Sequence, residues 1–587
     1  MNTIEAFQQA QAQHRAGQLP RAAAMYRDIL QAEPDHFDAL CMLALLEYQF
    51  GRGEESLRLL ERALAVDPFS VNAICNRGNV LMAMHRHEEA LASMDRALAL
   101  QPGIAEIHFN RGVILQALMR QQEALAAYER ALALKPGYAE AWLNRGNALE
   151  TLSRTDEALA CYDRATALRP ELAPAHLNRG NVLRKLGRKE EALESYGRVL
   201  ALKPDYAEAW NNRGNVLREL SRPEAALPDI ERALALKPEY ADAWLNRGII
   251  LDALSRREEA LDCFRRVIAL QPDHAEAHYC ISLQRLLDGD FRQGWAEYEW
   301  RWKVADAGIP PAYPQPLWLG REDLAGRCIL LHAEQGFGDT LQFCRYARLV
   351  ADRGARVILQ VQPSLASLLA RLAGPAQIIA QGAPLPPFDI HCPLMSLPLA
   401  LGTDLQSIPA GIPYLGADAT KVAAWRTRLG TEDTPRVGIA WSGRPTHRND
   451  TNRSIRLQDL APLLDVGATF ISLQKEVREE DRALLASMPG IRHFGAALQD
   501  YDDTAALVEC LDLVVTVDTS VAHLAGALGK PVWILLPSNP DWRWMLERED
   551  SPWYPTARLF RQARIHDWGG VIGRVAASLR GLISGHR

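Results

Sequence analysis

Eight prolines, Pro34, Pro68, Pro102, Pro136, Pro170, Pro204, Pro238 and Pro272, are spaced 34 residues apart every time. A fixed period of that length means one supersecondary unit copied along the chain, each copy burying its apolar face against the next. Beyond about residue 306 the period vanishes. The chain of 587 residues is too long for one core and divides into a repeat array and a second part built on another plan.

Alignment on the prolines brings Asn-Arg-Gly to 76–78, 110–112, 144–146, 178–180, 212–214 and 246–248, and Ala-Leu to 90–91, 124–125, 158–159, 192–193, 226–227 and 260–261. Each copy reads as helix, tight turn, helix. Gly78 and Ala90, with their equivalents, lack bulk and let the two helices approach closely. Gly17, Gly51, Ser153, Gly187, Ser221, Ser255 and Gly289 fall on the turn. Proline ends the second helix, because it has no N–H and clashes with the preceding turn.

The pattern resembles the tetratricopeptide repeat. One copy carries Trp142, Gly146, Ala158, Tyr162, Ala165 and Pro170 at signature positions. The resemblance covers residues 1–306 and implies an all-α solenoid of eight full repeats plus a capping ninth at 273–306. Arg at 77, 111, 145, 179, 213 and 247 departs from it, since the family usually has Leu there. In the ninth copy Phe291, Trp295, Tyr298, Trp300 and Trp302 are expected to cap the array and dock the next domain. A ligand-stacking site is the other reading.

Asn76, Asn110, Asn144, Asn178, Asn212 and Asn246 occupy one equivalent position, and Asn79, Asn147, Asn181 and Asn215 lie three residues further on, on the same helical face. Asn in mid-helix costs roughly 0.6 kcal/mol relative to Ala, so the series opposes local stability. Its amides both donate and accept, which suits an extended peptide backbone. Tetratricopeptide superhelices of the protein O-GlcNAc transferase type resemble this, with an asparagine ladder on the concave face. The expected partner is a protein or peptide acceptor in that groove. The alternative is inheritance by duplication, with Asn bonding neighbouring helices.

The net charge of -6 and pI of about 6.2 argue against nucleic acid, because a phosphate backbone wants a strongly basic face. No basic stretch followed by an apolar run opens the sequence, and no apolar stretch approaches the roughly 20 residues of a membrane span. The nine cysteines are scattered, with no CxxC pair, as free thiols in a reducing cytoplasm would be. The expected location is cytoplasmic.

Residues 307–326, with four prolines, read as a linker. After it, short apolar runs alternate with helical stretches. Strands are expected at Cys328–His332, Arg356–Val361, Gln377–Ala380 and 389–391, then at 437–441, 469–473, 511–517 and Val532–Leu536, with a closing helix at 567–584. The order is that of βαβ units and parallel sheets. The domains are therefore set at 327–432 and 433–587, two Rossmann-like lobes. Ligands in such sheets bind beyond the carboxyl ends of strands. Two polar turns sit there, 334–340 and 518–523, and together they make a cleft.

Gly336-Phe337-Gly338 has Leu341 where a third dinucleotide-binding glycine would fall, and there is no P-loop. Asp288-Gly289-Asp290 lies on the ninth inter-helix turn and reads as solvated. No His/Cys cluster has metal-ligand spacing, so neither a metal nor a cofactor is expected.

The segment DTSVAHLAGALGKPVWILLP at 518–537 resembles the donor-binding motif of the ADP-heptose:lipopolysaccharide heptosyltransferases, glycosyltransferase family nine, and GFGDTLQFCR at 336–345 is similar to their N-terminal Gly-Asp motif. The resemblance covers 327–587 and implies a GT-B fold with a nucleotide-sugar substrate. It makes Asp339 the candidate general base beside the glycine turn Gly336 and Gly338. Asp518, Thr519, Ser520 and His523 become donor contacts; Ser520 stands where the family usually has Gly. The family's basic phosphate-binding residue is best matched by Arg453, within WSGRPTHRNDTNRSIRL, which also places Ser442 on the donor side.

The chemistry is consistent on its own terms. Sugar transfer needs a base for the acceptor hydroxyl and charge stabilisation on the departing phosphate. Asp339 supplies the first. The helix start near Thr519, with Arg453, supplies the second without metal. Asp339 fits a helix N-cap equally well, and His523 a packed helix residue. Trp542, Trp544, Trp553 and Tyr554 either stack on the donor or plug the interlobe surface.

The expectation is a metal-independent glycosyltransferase acting on a Ser or Thr of a protein held by the solenoid. By analogy with bacterial transferases of similar two-part arrangement, flagellin or another surface protein is a client. The rivals are a transferase for a lipid-linked or polysaccharide glycan, and a scaffold with a degenerate transferase domain.

Overall fold

The computed structural model describes residues 3–304, 313–431, 434–447 and 449–585. It divides into two compact units, Met1–Ala243 and Trp244–Arg587.

The first unit is a stack of helix pairs. Its first helices have 13 residues, from Thr3–Arg15 to Ala207–Glu219, and its second helices 14, from Leu19–Ala32 to Pro223–Leu236. The prolines act one residue upstream. Proline excludes the residue before it from the α region, and Glu33, Asp67, Gln101 and Lys135 close their helices at φ between -127° and -139°, with ψ between 82° and 93°. The turns are left-handed at the expected Gly and Ser positions, and also at His85 and Met119. A Cβ on Gly146 would lie 2.5 Å from the Tyr162 ring, and one on Gly112 2.5 Å from Tyr128. Glycine there is what admits the aromatic ring of the partner helix.

The unexpected arginines stitch successive repeats. Arg145 reaches back to Glu129 at 3.0 Å and forward to the Cys161 Sγ at 3.0 Å. Arg179 does the same with Asp163 and Ser195, both at 2.6 Å. Each guanidinium bridges the second helices of two consecutive copies, a polar function that Leu cannot serve.

The second unit begins inside the repeat pattern. Its first helices are Ala241–Ala253, Arg257–Leu270, Ala275–Leu287 and Phe291–Tyr298, followed by a 3-10 turn at Glu299–Lys303; Ala241–Ala243 are counted with the first unit. The compact division therefore falls about sixty residues before the expected border at 306. Burial is the reason. Leu286, Leu287, Phe291, Trp295 and Tyr298 share one apolar cluster with strand and helix residues of the C-terminal part. Trp300 and Trp302 stay outside it: Trp300 stacks on His278 with centroids 4.1 Å apart, and Arg301 lies over Trp302.

Two parallel sheets follow. The first has β1 (Cys328–His332), β2 (Arg356–Val361), β3 (Gln377–Ala380) and β4 (Ile390–Pro393), in the order β3-β2-β1-β4. The second has β5 (Arg436–Ala440), β6 (Thr469–Ser472), β7 (Ile491–His493), β8 (Leu513–Val517), β9 (Val532–Leu536) and β10 (Ala557–Arg561), in the order β10-β9-β8-β5-β6-β7. Strands β7 and β10 are additions to the sequence reading. Both are edge strands, and Ile-Arg-His and Ala-Arg-Leu-Phe-Arg carry too few apolar residues to stand out. The helix Trp568–Gly585 closes the chain.

Two boundary expectations change. Part of 307–326 falls outside the described residues, but 316–318 is no free linker. The Trp318 N–H donates to the His391 carbonyl at 2.8 Å, His391 N–H donates to Pro316 at 3.0 Å, and the Trp318 side chain is fully buried. The helix Ala419–Leu429, assigned to the first lobe, packs on Tyr501–Glu509 beside the second sheet, with Lys421 Nζ 2.7 Å from Asp503 and Trp425 against Phe494.

Candidate functional site

Each sheet reverses its strand order at one point, beside β1 and β4 in the first and between β5 and β8 in the second. A crevice opens beyond the carboxyl ends of strands at such a point. The turn 334–339 leaves β1 and the turn 518–519 leaves β8, so topology alone delivers both to that end.

The helix Phe337–Phe343 starts at the first turn, where the Gly336 N–H donates to Asp339 Oδ2 at 2.8 Å. Gly336, not Asp339, is therefore the N-cap; Asp339 lies at the third helical position and its side chain reaches back to the cap N–H. Its other oxygen is ion-paired with Arg543. Burial raises the Asp339 carboxyl above its ordinary range against the pull of Arg543, and neighbouring Asp541 raises it further.

On the turn after β8, Thr519 Oγ1 caps the helix Ser520–Ala527 by accepting from Val521 N–H at 3.3 Å. Ser520 Oγ accepts from the Tyr501 hydroxyl at 2.7 Å. His523 is buried, bonded through Nδ1 to Tyr554 OH at 2.9 Å and stacked on Trp544. Burial holds it well below the usual imidazole range, so it is neutral. The two turns touch: a Cβ on Gly338 would lie 2.8 Å from His523 Cδ2 and 3.6 Å from Ser520 Cα. Only a glycine permits that approach.

Arg453 donates to the Asp518 carbonyl at 3.1 Å and lays its guanidinium against Gly443, where a Cβ would meet it at 2.5 Å. Ser442 precedes this contact and accepts from Gln474 Nε2 at 3.1 Å. Burial, helped by Asp541, raises the Asp518 carboxyl above its ordinary range; Arg453 and Arg543 oppose it.

The structure thus brings together Gly336, Gly338, Asp339, Asp518, Thr519, Ser520, His523, Arg453 and Ser442. Asn76, Asn110, Asn144, Asn178 and Asn212 lie in the first unit, and Asn246 in the second. Asn110 Nδ2 donates to Asn79 at 3.1 Å, Asn178 to Asn147 at 2.8 Å and Asn212 to Asn181 at 3.0 Å, each 31 positions back. These amides bond repeat to repeat.

Sequence reasoning passed over three residues. Arg543 donates Nε to Gln342 at 2.7 Å and an Nη to Asp541 at 2.8 Å, besides binding Asp339. Asp541 and Arg543 both lie in the tryptophan-rich stretch read only for stacking. His447 belongs to the quoted 441–457 segment. Burial and Arg453 hold its imidazole below the usual range, with Asp541, Asp450 and Asp339 pulling the other way. Trp542, Trp544, Trp553 and Tyr554 are all buried in the apolar cluster that residues of both sheets share. Among the described residues no group of His, Cys, Asp and Glu is arranged to hold a metal ion, and no helix is long and apolar enough to cross a membrane.

Comparison with known proteins adds to this geometry. Tetratricopeptide-repeat families match at 13–74, 75–139, 139–172, 180–221 and 212–275, so this part of the chain is a tetratricopeptide-repeat array. Protein FlbA of Caulobacter vibrioides is 27% identical over 317 residues, which cover 50% of this chain and 53% of that protein. The chain spans about half the length of the curated relative it matches. Among solved structures, YrrB, described as a TPR protein with an unusual peptide-binding site, is 27% identical, covering 32% of this chain and 98% of its own, with a TM-score of 0.30. Pseudomonas aeruginosa pilF is 20% identical, covering 36% and 96%, with a TM-score of 0.34.

Proposed function

We propose that the chain is a GT-B glycosyltransferase that moves a sugar from a nucleotide-sugar to a hydroxyl of a protein captured by its repeats. The observation that carries this reading is the contact of Gly338 with His523 and Ser520. It brings the turn that carries Asp339 against the start of the helix after β8.

In this reading the donor diphosphate lies at Ser520–Ala527, where backbone N–H groups and Arg453 take up charge as the leaving group departs. Asp339 accepts the proton of the acceptor hydroxyl. The hydroxyl oxygen bonds to the anomeric carbon, the bond from that carbon to the phosphate oxygen breaks, and a nucleoside diphosphate leaves. Arg543 holds the Asp339 carboxylate in place. The asparagine amides offer the acceptor the hydrogen-bonding capacity that their inter-repeat bonds leave over, since each carries two N–H donors and two lone pairs. Flagellin or another surface protein is a candidate client.

One observation favours the scaffold reading: Asp339 is already engaged by Arg543, which opposes its action as a base. Hydrolysis and transfer assays with a panel of UDP-, GDP-, ADP- and dTDP-sugars decide between them. Turnover of one donor, lowered at least 100-fold in Asp339→Asn with nucleotide binding kept, supports transfer. Nucleotide binding without turnover of any donor supports the scaffold.

A further inference from the structure

We propose that Arg301, at the end of the repeat array, is a positioning residue for the Asp339 turn, so that the last repeat is a working part of the catalytic site. The inference rests on the transferase reading.

Arg301 lies in the 3-10 turn Glu299–Lys303, and Glu334 opens the turn that ends at Asp339. One Nη of Arg301 donates to both Glu334 oxygens, at 3.0 and 3.3 Å, and to Ser396 Oγ at 2.7 Å after β4. The other Nη binds Glu299 at 2.7 Å. The side chains of Arg301 and Glu334 are 4% and 3% exposed. The next residue, Gln335, donates to the Tyr298 hydroxyl at 3.3 Å. Two successive residues of the turn are therefore fastened to the array.

The loop carrying Arg543 is fastened to the same segment. Trp295 meets Trp542 edge-on at 5.1 Å. Asn539 donates to the Asp252 carbonyl at 3.2 Å and accepts from Arg257 at 3.0 Å. Asp339 and Arg543 thus meet because both their loops are built on one helical platform. A buried pair is often replaced by apolar side chains without loss of stability, but apolar side chains do not fix the direction of a turn through hydrogen bonds.

The test uses the full chain. Arg301→Met removes the fork, and Arg301→Met combined with Glu334→Met removes the buried pair, leaving Glu299, 19% exposed, with its hydrogen bond from Ser396 Oγ at 2.8 Å. Amide hydrogen exchange across 335–341 reads the turn itself. Exchange at least tenfold faster in the double variant, with an unchanged unfolding midpoint, is expected; unchanged exchange overturns the inference whether or not any sugar is transferred. With the donor that the wild type turns over, kcat is expected to fall at least tenfold and donor KM to stay within twofold. A wild-type kcat in the double variant overturns the inference and leaves the transferase reading standing. A wild type that turns over no donor overturns that reading instead, while exchange still decides the role of Arg301 in holding the turn.

Discussion

Arg543 reaches 204 positions back along the chain to pair with the Asp339 carboxylate. The arginine is almost wholly enclosed, with a side chain 9% exposed, while Asp339 retains 21%. One guanidinium orients the candidate base, Gln342 behind it and Asp541 beside it. Removing it leaves two carboxylates facing each other in a low-dielectric site. Arg543→Ala is expected to destabilise the chain by about 3 kcal/mol or more, read as a lowered denaturant midpoint. Arg543→Ala combined with Asp339→Asn should recover part of that loss. A double variant as unstable as the sum of the singles would mean that the two side chains do not interact.

The two glycines of the turn differ in what a side chain would meet. On Gly338 a Cβ collides with the His523 ring; on Gly336 it meets only the Asp339 carboxylate, at 3.2 Å. Overpacking of this kind costs about 1–3 kcal/mol. Gly338→Ala is expected to lower both stability and donor turnover, and Gly336→Ala to do so less. Equal effects would show that the turns do not close on each other in solution.

Glu334 provides a pH signature. Burial pushes its carboxyl up to about 7 against the pull of Arg301, with Glu299 and Asp339 adding to the rise. Between the ordinary carboxylate pKa of about 4.3 and that value, the folded chain holds a proton that the unfolded chain has released. This group's contribution to stability is present below about pH 4 and falls as pH rises toward the folded value. Melting curves at pH 5, 6, 7 and 8 should show the decline, and Glu334→Gln should flatten it. A decline that persists unchanged in Glu334→Gln would assign it to other groups.

Why some of this was legible and some not follows from how far apart the determinants lie. The 34-residue spacing of the prolines is local, and Glu33 beside Pro34 needs no tertiary information to leave the helical region. The strands β1, β2 and β9 are apolar runs bounded by turn residues, and they fall where expected. The turns that follow β1 and β8 are at strand ends by chain order alone. By contrast, His85 and Met119 adopt left-handed backbone because the repeat on either side imposes the turn, against their own preference. Trp318 reads as part of a proline-rich linker until the open edge of β4 is known to lie beside it. Arg543 is hidden by its neighbours Trp542 and Trp544, and nothing within a short window connects it to residue 339. The arginines at 145 and 179 look like defects in a leucine position until their partners 16 residues away in both directions are seen.

The repeats allow a pair of substitutions with opposite signs. Gly146 and Gly197 are both helical glycines in the first unit. A Cβ at 146 would sit 2.5 Å from Tyr162, whereas one at 197 meets nothing within 4 Å. At 197 only the intrinsic preference operates, and Gly→Ala in an open helix position gains about 0.5–1 kcal/mol. At 146 the same gain is outweighed by the displaced ring, because Tyr162 is fully buried and its hydroxyl donates to Asn147 at 2.8 Å. Asn147 in turn accepts from Asn178. Moving the ring therefore disturbs an inter-repeat bond as well as packing. Gly146→Ala is expected to lower the thermal midpoint and Gly197→Ala to raise it. If both raised it, the close approach of helices at Gly146 would not be a stabilising feature of the array, and the asparagine bonds anchored on Tyr162 would be dispensable too.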